Sequence, residues 1–449
     1  MKKTKLSVRE LALDLLESVE KNQSYSNLVL NNYINKNELN SLDAGLLTEI
    51  TYGTIQRKYT LDYYLKPFVQ NSKKVQSWVL NLLRLSLYQM IYLEKVPDHA
   101  ILFEAVEIAK KRGHKGITSM VNGVLRNVQR KGVPSLEEIE DPIERISIAT
   151  SHPLWLVERW SNQFGIDKTK QMCEMNLTAP LQTARVNLTI TNRERVIEDL
   201  KAEGYEVVES QIVPEGIVCL KGNLAHSNCY KQGHVSIQDE SSMLVAYALG
   251  AHMDEHILDC CAAPGGKTTH IAEKMDGKGT VLALDLHEHK VKLIQEQAER
   301  LHLENVSTQV MDSRKTSQHF EKESFDRILV DAPCSGFGVM RRKPDLKYTK
   351  SEADVANLAR IQNDLLDSVA PLVKQGGTLV YSTCTVDQAE NEATATRFLY
   401  EHPDFEADYS MVERLPESVK PFLSGHLLQI FPQDFGSDGF FISCFRKKV

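Results

Sequence analysis

Ile257-Leu258-Asp259-Cys260-Cys261-Ala262-Ala263-Pro264-Gly265-Gly266-Lys267-Thr268-Thr269 begins as an apolar strand, turns through two adjacent glycines and opens into a helix. Strands and helices then alternate toward the C-terminus. Strand Thr280–Leu284, helix Glu288–Leu301, strand Val306–Val310, strand Arg327–Val330, helix Val355–Val373 and strand Thr378–Tyr381 follow in that order. Two apolar runs, Leu427–Phe431 and Gly439–Phe445, end the chain across the turn residues Gln433 to Asp438. Alternation of this kind builds a mostly parallel sheet with helices on both faces. Residues 233–449 are therefore expected to form an α/β doubly wound, Rossmann-like domain that ends in a hairpin.

The glycine turn restricts the cofactor. A triphosphate loop ends in G-K-[ST], as Gly266-Lys267-Thr268 does, but its first glycine would fall at Cys261. A dinucleotide site wants G-x-G-x-x-G, which Ala263-Pro264-Gly265-Gly266 does not supply. What remains is a close backbone approach at Gly265 and Gly266, at a helix N-terminus. Asp285 ends the second strand, where an acid can hydrogen-bond a ribose. Asp312 follows the third strand and can accept from an adenine amino group. Either acid alone is most often a turn or cap residue. Both in register after successive strands, with no pyrophosphate loop, point to S-adenosyl-L-methionine.

Two further strand ends carry thiols. Phe325–Val330 leads into Asp331-Ala332-Pro333-Cys334-Ser335-Gly336-Phe337-Gly338, and Gly377–Tyr381 leads into Ser382-Thr383-Cys384-Thr385. Ligands of open α/β sheets bind outside the carboxyl ends of the strands. In the doubly wound order these two strands are neighbours, so Cys334 and Cys384 should face each other across one crevice. An isolated intracellular cysteine is usually a small buried hydrophobe. A converging pair suits covalent catalysis on a pyrimidine, where a thiolate adds to C6 and makes C5 nucleophilic. The reaction needs a nucleophile, a proton acceptor and a group near N3, and Cys384, Cys334 and Asp331 can fill these places. Chemistry alone allows either thiol to be the nucleophile. Arg341-Arg342-Lys343, just downstream, are expected to hold nucleic-acid phosphates.

The first third has a different period. Ser7-Val8-Arg9-Glu10 has the form of a capping box, and Val8, Leu11, Leu15 and Val19 follow at helical spacing. Further helices are expected near Asn27–Ile34, Asp43–Leu65, Val75–Leu93, Asp98–Lys111 and Gly116–Arg130. Residues 1–135 thus form an all-α bundle. Residues 136–232 read as connector helices and a small α+β domain, with strands near Ala184–Thr189, Glu206–Val208 and Gly216–Leu220. Arg185 and Asn187 are expected on the solvent face of a strand; the alternative is contact with a polymer. The 449 residues carry a net charge of −7, unevenly spread. Residues 1–150 hold 21 Lys and Arg against 17 Asp and Glu, and the remainder 32 against 43. A mildly basic first third on an acidic body is compatible with local RNA contact. Two clusters stand out there, Lys110-Lys111-Arg112-Gly113-His114-Lys115 and Arg126 with Arg130 and Lys131. Such runs are most often solvated helix ends; the alternative is a phosphate-binding patch.

No apolar run is long enough to span a membrane, and no apolar core follows the basic start Met1-Lys2-Lys3-Thr4-Lys5. None of the eight cysteines forms a C-x-x-C pair, so no metal site is expected, and free thiols fit the reducing cytoplasm.

Ser24-Tyr25-Ser26-Asn27-Leu28, Asp43-Ala44-Gly45-Leu46-Leu47 and Asn122-Gly123-Val124-Leu125-Arg126-Asn127 resemble the NusB family of helical RNA-binding antitermination factors, over about residues 5–135. The Asp-Ala-Pro-Cys-Ser-Gly, Ser-Thr-Cys-Thr and Ala-Ala-Pro-Gly-Gly-Lys-Thr-Thr motifs closely resemble the RNA cytosine-5 methyltransferases. Together the two resemblances cover nearly the whole chain, and match the branch of that family with a NusB-like N-terminus. They imply methylation of a cytidine in small-subunit (16S) ribosomal RNA, with Cys384 as nucleophile and Cys334 assisting proton removal and release. They also imply a cofactor site made of Cys261, Ala262, Ala263, Pro264, Gly265, Gly266, Lys267, Asp285, Asp312 and Asp331. The same chemistry on transfer RNA, and a noncatalytic RNA-binding protein that keeps the cofactor fold, are the competing readings.

Overall fold

The computed structural model describes residues 6–22, 26–69 and 74–449. Ser24 and Tyr25 of the first NusB-like motif lie outside the described residues, as do Met1–Lys5. The chain divides into two compact units, one of residues 1–178 with 340–349, the other of residues 179–339 with 350–449.

The first unit is helical. Its helices run Val8–Asn22, Ser26–Lys36, Ser41–Gln56, Lys58–Leu65, Ser77–Tyr92, Asp98–Arg112, Lys115–Lys131, Pro142–Thr150, Leu154–Phe164 and Ile166–Met175. Their apolar faces meet in one core that includes Leu11, Leu15, Leu47, Leu83 and Leu125. Only half of the expected capping box closes. The Ser7 hydroxyl accepts from the Glu10 backbone N–H at 3.3 Å, while the Glu10 carboxylate turns to Lys111 at 2.8 Å.

The single helix expected over Asp43–Leu65 is two, broken at Arg57. Tertiary hydrogen bonds override the helical period there. Thr60 donates its N–H to Ser151 Oγ at 3.0 Å and its hydroxyl to the Ile148 carbonyl at 2.6 Å. The break frees carbonyls that would otherwise be unpaired. Tyr348 donates to that of Ile55 at 2.8 Å, and Lys347 to that of Gln56 at 3.2 Å. Residues 136–178, expected with the middle region, group with the helical unit by their contacts.

The second unit holds two sheets. The smaller is antiparallel, in the order β2-β3-β1-β4, from β1 (Gln182–Val186), β2 (Glu206–Glu209), β3 (Gly216–Lys221) and β4 (Val235–Ile237). Its fourth strand lies beyond the expected end at residue 232. The larger contains β5 (His256–Asp259), β6 (Thr280–Asp285), β7 (Val306–Val310), β8 (Phe325–Asp331), β9 (Val373–Thr383), β10 (Phe405–Ala407), β11 (Leu423–Ser424), β12 (Leu427–Ile430) and β13 (Phe440–Lys447). Its order is β11-β12-β13-β9-β8-β5-β6-β7, with β10 on β13. Strands β5 to β9 pair in parallel, and β12 and β13 form the expected hairpin, antiparallel to β9. Apolar cores cover both faces. Strand order reverses at β5, between β6 and β8, and a ligand crevice belongs at such a switch point.

Arg185 and Asn187 are not on a solvent face. Both are fully buried. The Arg185 guanidinium donates to Glu273 at 2.7 and 2.8 Å, to the Gly266 carbonyl at 3.0 Å and to Thr269 at 3.2 Å. Asn187 donates to the carbonyls of Leu301 and Gly233. The small sheet is thereby fastened to the helix Gly266–Lys274 that follows the glycine turn.

Candidate active site

Strand β5 ends at Asp259, and the chain turns through Cys260–Gly265 before the helix begins at Gly266. The Ala263–Pro264 bond is cis. Gly265 has φ +104°, and a Cβ there would sit 3.1 Å from the Ile294 Cα, so the turn requires glycine. A Cβ on Gly266 would meet nothing closer than 3.9 Å, which leaves the backbone open to a ligand at the helix start. Beneath the turn, Asp259 is wholly buried; Oδ2 accepts from Thr268 at 2.7 Å, while Oδ1 has no partner. Burial pushes its carboxyl up to about 7. Asp285 closes β6, almost buried, with Oδ1 accepting from the His287 N–H at 3.2 Å. An open helix start, an acid closing the next strand and an orphaned buried oxygen fit an adenosyl cofactor. Asp312 fits less well. It caps the short helix Ser313–Gln318, and both its oxygens accept from Arg314, at 2.9 and 2.7 Å.

The other wall of the crevice is built by β8 and β9. Their parallel register pairs Asp331 with Ser382, so the loops that follow leave side by side. Cys334 and Cys384, 50 residues apart, bring their sulfurs to 3.4 Å. The loops lock further on. Gly338 N–H donates to the Cys384 carbonyl at 3.0 Å, and a Cβ on Gly338 would lie 1.9 Å from the Gly439 carbonyl oxygen. Only glycine allows that approach.

Asp331 does not stand free. It accepts from Lys267 Nζ at 2.7 Å and from the Ser382 hydroxyl at 2.8 Å. Burial disfavours the Lys267 ammonium, but Asp331, and then Cys384, outweigh it and hold its pKa above the ordinary value. Cys334 is held well above the usual thiol range, first by its hydrogen bond with Cys384, then by burial, the Cys384 charge and Glu390. Cys261 is also pushed well up, chiefly by burial, so its thiol stays protonated.

Glu390, Gln362 and Asn391 escape the sequence reading. The Glu390 carboxylate is fully buried and accepts from the Ser335 N–H at 2.9 Å, the Ser335 hydroxyl and Gln362 Nε2 at 3.0 Å. Asn391 accepts from the Thr383 hydroxyl at 2.6 Å and donates to the Thr385 carbonyl at 3.0 Å, bracing both sides of Cys384. For Glu390 and Asn391 the local signal is the stretch Asp387 to Asn391, polar but for Ala389, between a strand end and a helix.

The basic expectations divide. Arg341 is buried and donates to the Thr178 carbonyl within the helical unit, and Arg342 and Lys343 are half-buried; all three belong to that unit. They do not form the exposed phosphate triad the sequence suggested. Lys110, Lys111 and Arg112 pair with Glu107, Glu10 and Glu17. Arg126 and Arg130 are exposed on the helix Lys115–Lys131 and bond to Asn122 and Asn127. Among the described residues, one group, Asp199, Cys229 and His234, brings possible metal ligands within 4.8 Å of one another. Arg195 lies 4.0 Å from Asp199.

A Rossmann-like sheet, a glycine turn fitted to an adenosyl group and two thiols at the crevice define a methyltransferase that uses S-adenosylmethionine. Residues 246–446 match the family model for 16S rRNA methyltransferases RsmB/F, residues 6–130 the NusB family, and residues 152–224 the ferredoxin-like domain of RsmF/B-like methyltransferases. The chain belongs to the RsmB/F family. It is 56% identical over 448 residues to the probable ribosomal RNA small subunit methyltransferase B of Bacillus subtilis, covering all of both chains. It is 32% identical to the ribosomal RNA small subunit methyltransferase B of Proteus mirabilis, over 99% of this chain and 100% of that one. Among solved structures, that of PH0851 matches with a TM-score of 0.82 and 26% identity, covering 99% of this chain and 100% of that one. NSun6 from Pyrococcus horikoshii shares the fold, with a TM-score of 0.58 and 23% identity over 65% of this chain and 97% of that one.

Proposed function

We propose that the protein methylates C5 of a cytidine in 16S ribosomal RNA, in the cytoplasm, by a covalent route through Cys384. The observation that carries this reading is the 3.4 Å approach of two thiols at the end of β8 and β9, beside the Lys267–Asp331 pair. Bound S-adenosylmethionine supplies an electrophilic methyl group. Cys261 to Lys267 and Asp285 hold it; Asp312 acts as a cap nearby.

Cys384, as thiolate, adds to C6 of the flipped base, and the C5–C6 electron pair forms the bond from C5 to the methyl group, with S-adenosylhomocysteine as the leaving group. Lys267 stabilises the thiolate before attack. Asp331, with both oxygens already engaged by Lys267 and Ser382, orients the ammonium at the base edge near N3. Once Cys384 is spent in a carbon–sulfur bond, the main reason Cys334 holds its proton is gone. Cys334 then loses that proton to water and, as thiolate, removes the C5 proton of the methylated ring. The pair left behind restores C5–C6 and expels Cys384. Two thiolates 3.4 Å apart repel, so the cysteines ionise in turn. Exposed Arg126 and Arg130 of the helical unit contribute to holding the RNA.

The test is denaturing-gel trapping with labelled 16S RNA and cofactor. A stable protein–RNA adduct in Cys334→Ala and none in Cys384→Ala is the expected outcome. The reverse pattern would exchange the roles, and no adduct together with no methyl incorporation by wild type would sink the reading.

A further inference from the structure

The two thiols have similar surroundings in one crevice, yet only one is needed as the attacking thiolate. Charged and titratable groups surround the pair: Lys267 from the helix after the glycine turn, bonded to Asp331 of β8, Tyr381 from β9, and Glu390 from the loop beyond Cys384, with Asp387 of that loop facing Glu390. They are unevenly placed. The cation couples to Cys384, and the Glu390 carboxylate couples to Cys334. Glu390 binds the Ser335 N–H directly after Cys334, and the Ser335 hydroxyl lies 2.8 Å from that of Thr385, directly after Cys384. Burial, with Asp387, pushes the Glu390 carboxyl up, but every group that touches its side chain here can donate, and these hydrogen bonds oppose that push and favour the ionised, acceptor-only carboxylate.

We propose that Glu390 is a positioning residue for the thiol pair: its carboxylate keeps the remaining proton on Cys334 and so leaves the negative charge on Cys384. When the pair gives up one proton to solvent, the charge can rest on either sulfur. A fixed anion next to Cys334 and a fixed cation next to Cys384 decide which. The same carboxylate makes the Cys334 thiolate, once formed, a stronger base toward the C5 proton. This rests on Cys384 being the nucleophile, but the asymmetry itself can be read without RNA.

Glu390→Gln separates charge from shape. Its amide oxygen can accept from the Ser335 N–H and from Gln362, and its NH2 can donate to the Ser335 hydroxyl, which then donates to Thr385. The measurement is site-resolved alkylation by iodoacetamide at neutral pH, read by peptide mass mapping. Wild type should react at Cys384 over Cys334 by about tenfold or more, the equivalent of one pKa unit. Glu390→Gln should lower that ratio at least about fivefold with an unchanged melting temperature. An unchanged ratio in Glu390→Gln overturns the proposal. So does equal labelling of the two thiols in wild type, which needs no variant to fold. Because no RNA is present, failure here is distinct from failure of the adduct trapping.

Discussion

The sulfurs of Cys334 and Cys384 stand 3.4 Å apart although 50 residues separate them. That distance makes them one titrating unit, and it sets different penalties for removing each. On the covalent route proposed above, Cys384→Ala removes the nucleophile and should lower methyl transfer by roughly a thousandfold or more, as loss of a covalent nucleophile does. Cys334→Ala should allow one methylation but cut turnover on the order of a hundredfold or more. Single-turnover against steady-state methyl incorporation separates the two.

Asp285 and Asp312, which look alike in sequence, should behave differently. Asp285 sits buried at the end of β6, whereas Arg314 engages both oxygens of Asp312. Asp285→Asn should weaken S-adenosylmethionine binding about 10- to 100-fold, the worth of one hydrogen bond to a charged group. Asp312→Asn should change it by less than about threefold, a small fraction of such a bond. Isothermal titration of both variants checks the contrast.

Arg185→Ala leaves the Glu273 carboxylate buried without its partner. Truncating one side of a buried pair costs about 3–5 kcal/mol. The second unit should lose that much in denaturant unfolding, and Arg185→Met with Glu273→Leu should recover a good part of it.

Lys347 gives the helical unit a pH signature. It is fully buried, hydrogen-bonded to the carbonyls of Gln56 and Thr150, and burial lowers its pKa to about 7. An unfolded lysine titrates at ~10.4. Between these values the unfolded chain binds the extra proton, so stability rises with pH and is lost as pH falls through about 7. Relative to Lys347→Met, wild type should gain up to about 1.4 kcal/mol per pH unit between pH 7 and 10. Parallel stability–pH curves for the two proteins would rule this out.

The crevice was legible where its residues announce themselves within a few positions. The glycine turn, Lys267 and both cysteines sit in short motifs at strand ends, and strand order alone made the cysteines neighbours. Glu390 and Arg185 were not legible, because their roles depend on partners 55 and 88 residues away. Arg185 illustrates the limit: alternation correctly gave its strand, but the face taken for solvent is covered by the helix Gly266–Lys274. Likewise, the break at Arg57 is imposed by what Thr60 and Lys347 bind, and no period of Asp43–Leu65 encodes it.

Residues 340–349 belong to the helical unit although the chain on both sides of them belongs to the other. The two units are thus interlaced along the chain, not strung like beads, and no single cut separates them. A fragment ending at Thr178 would lack Lys347 and Tyr348, and with them the caps on the Ile55 and Gln56 carbonyls. The same holds for inheritance: a chimera that exchanges the helical unit between relatives acquires a mismatched interior unless this ten-residue excursion travels with it.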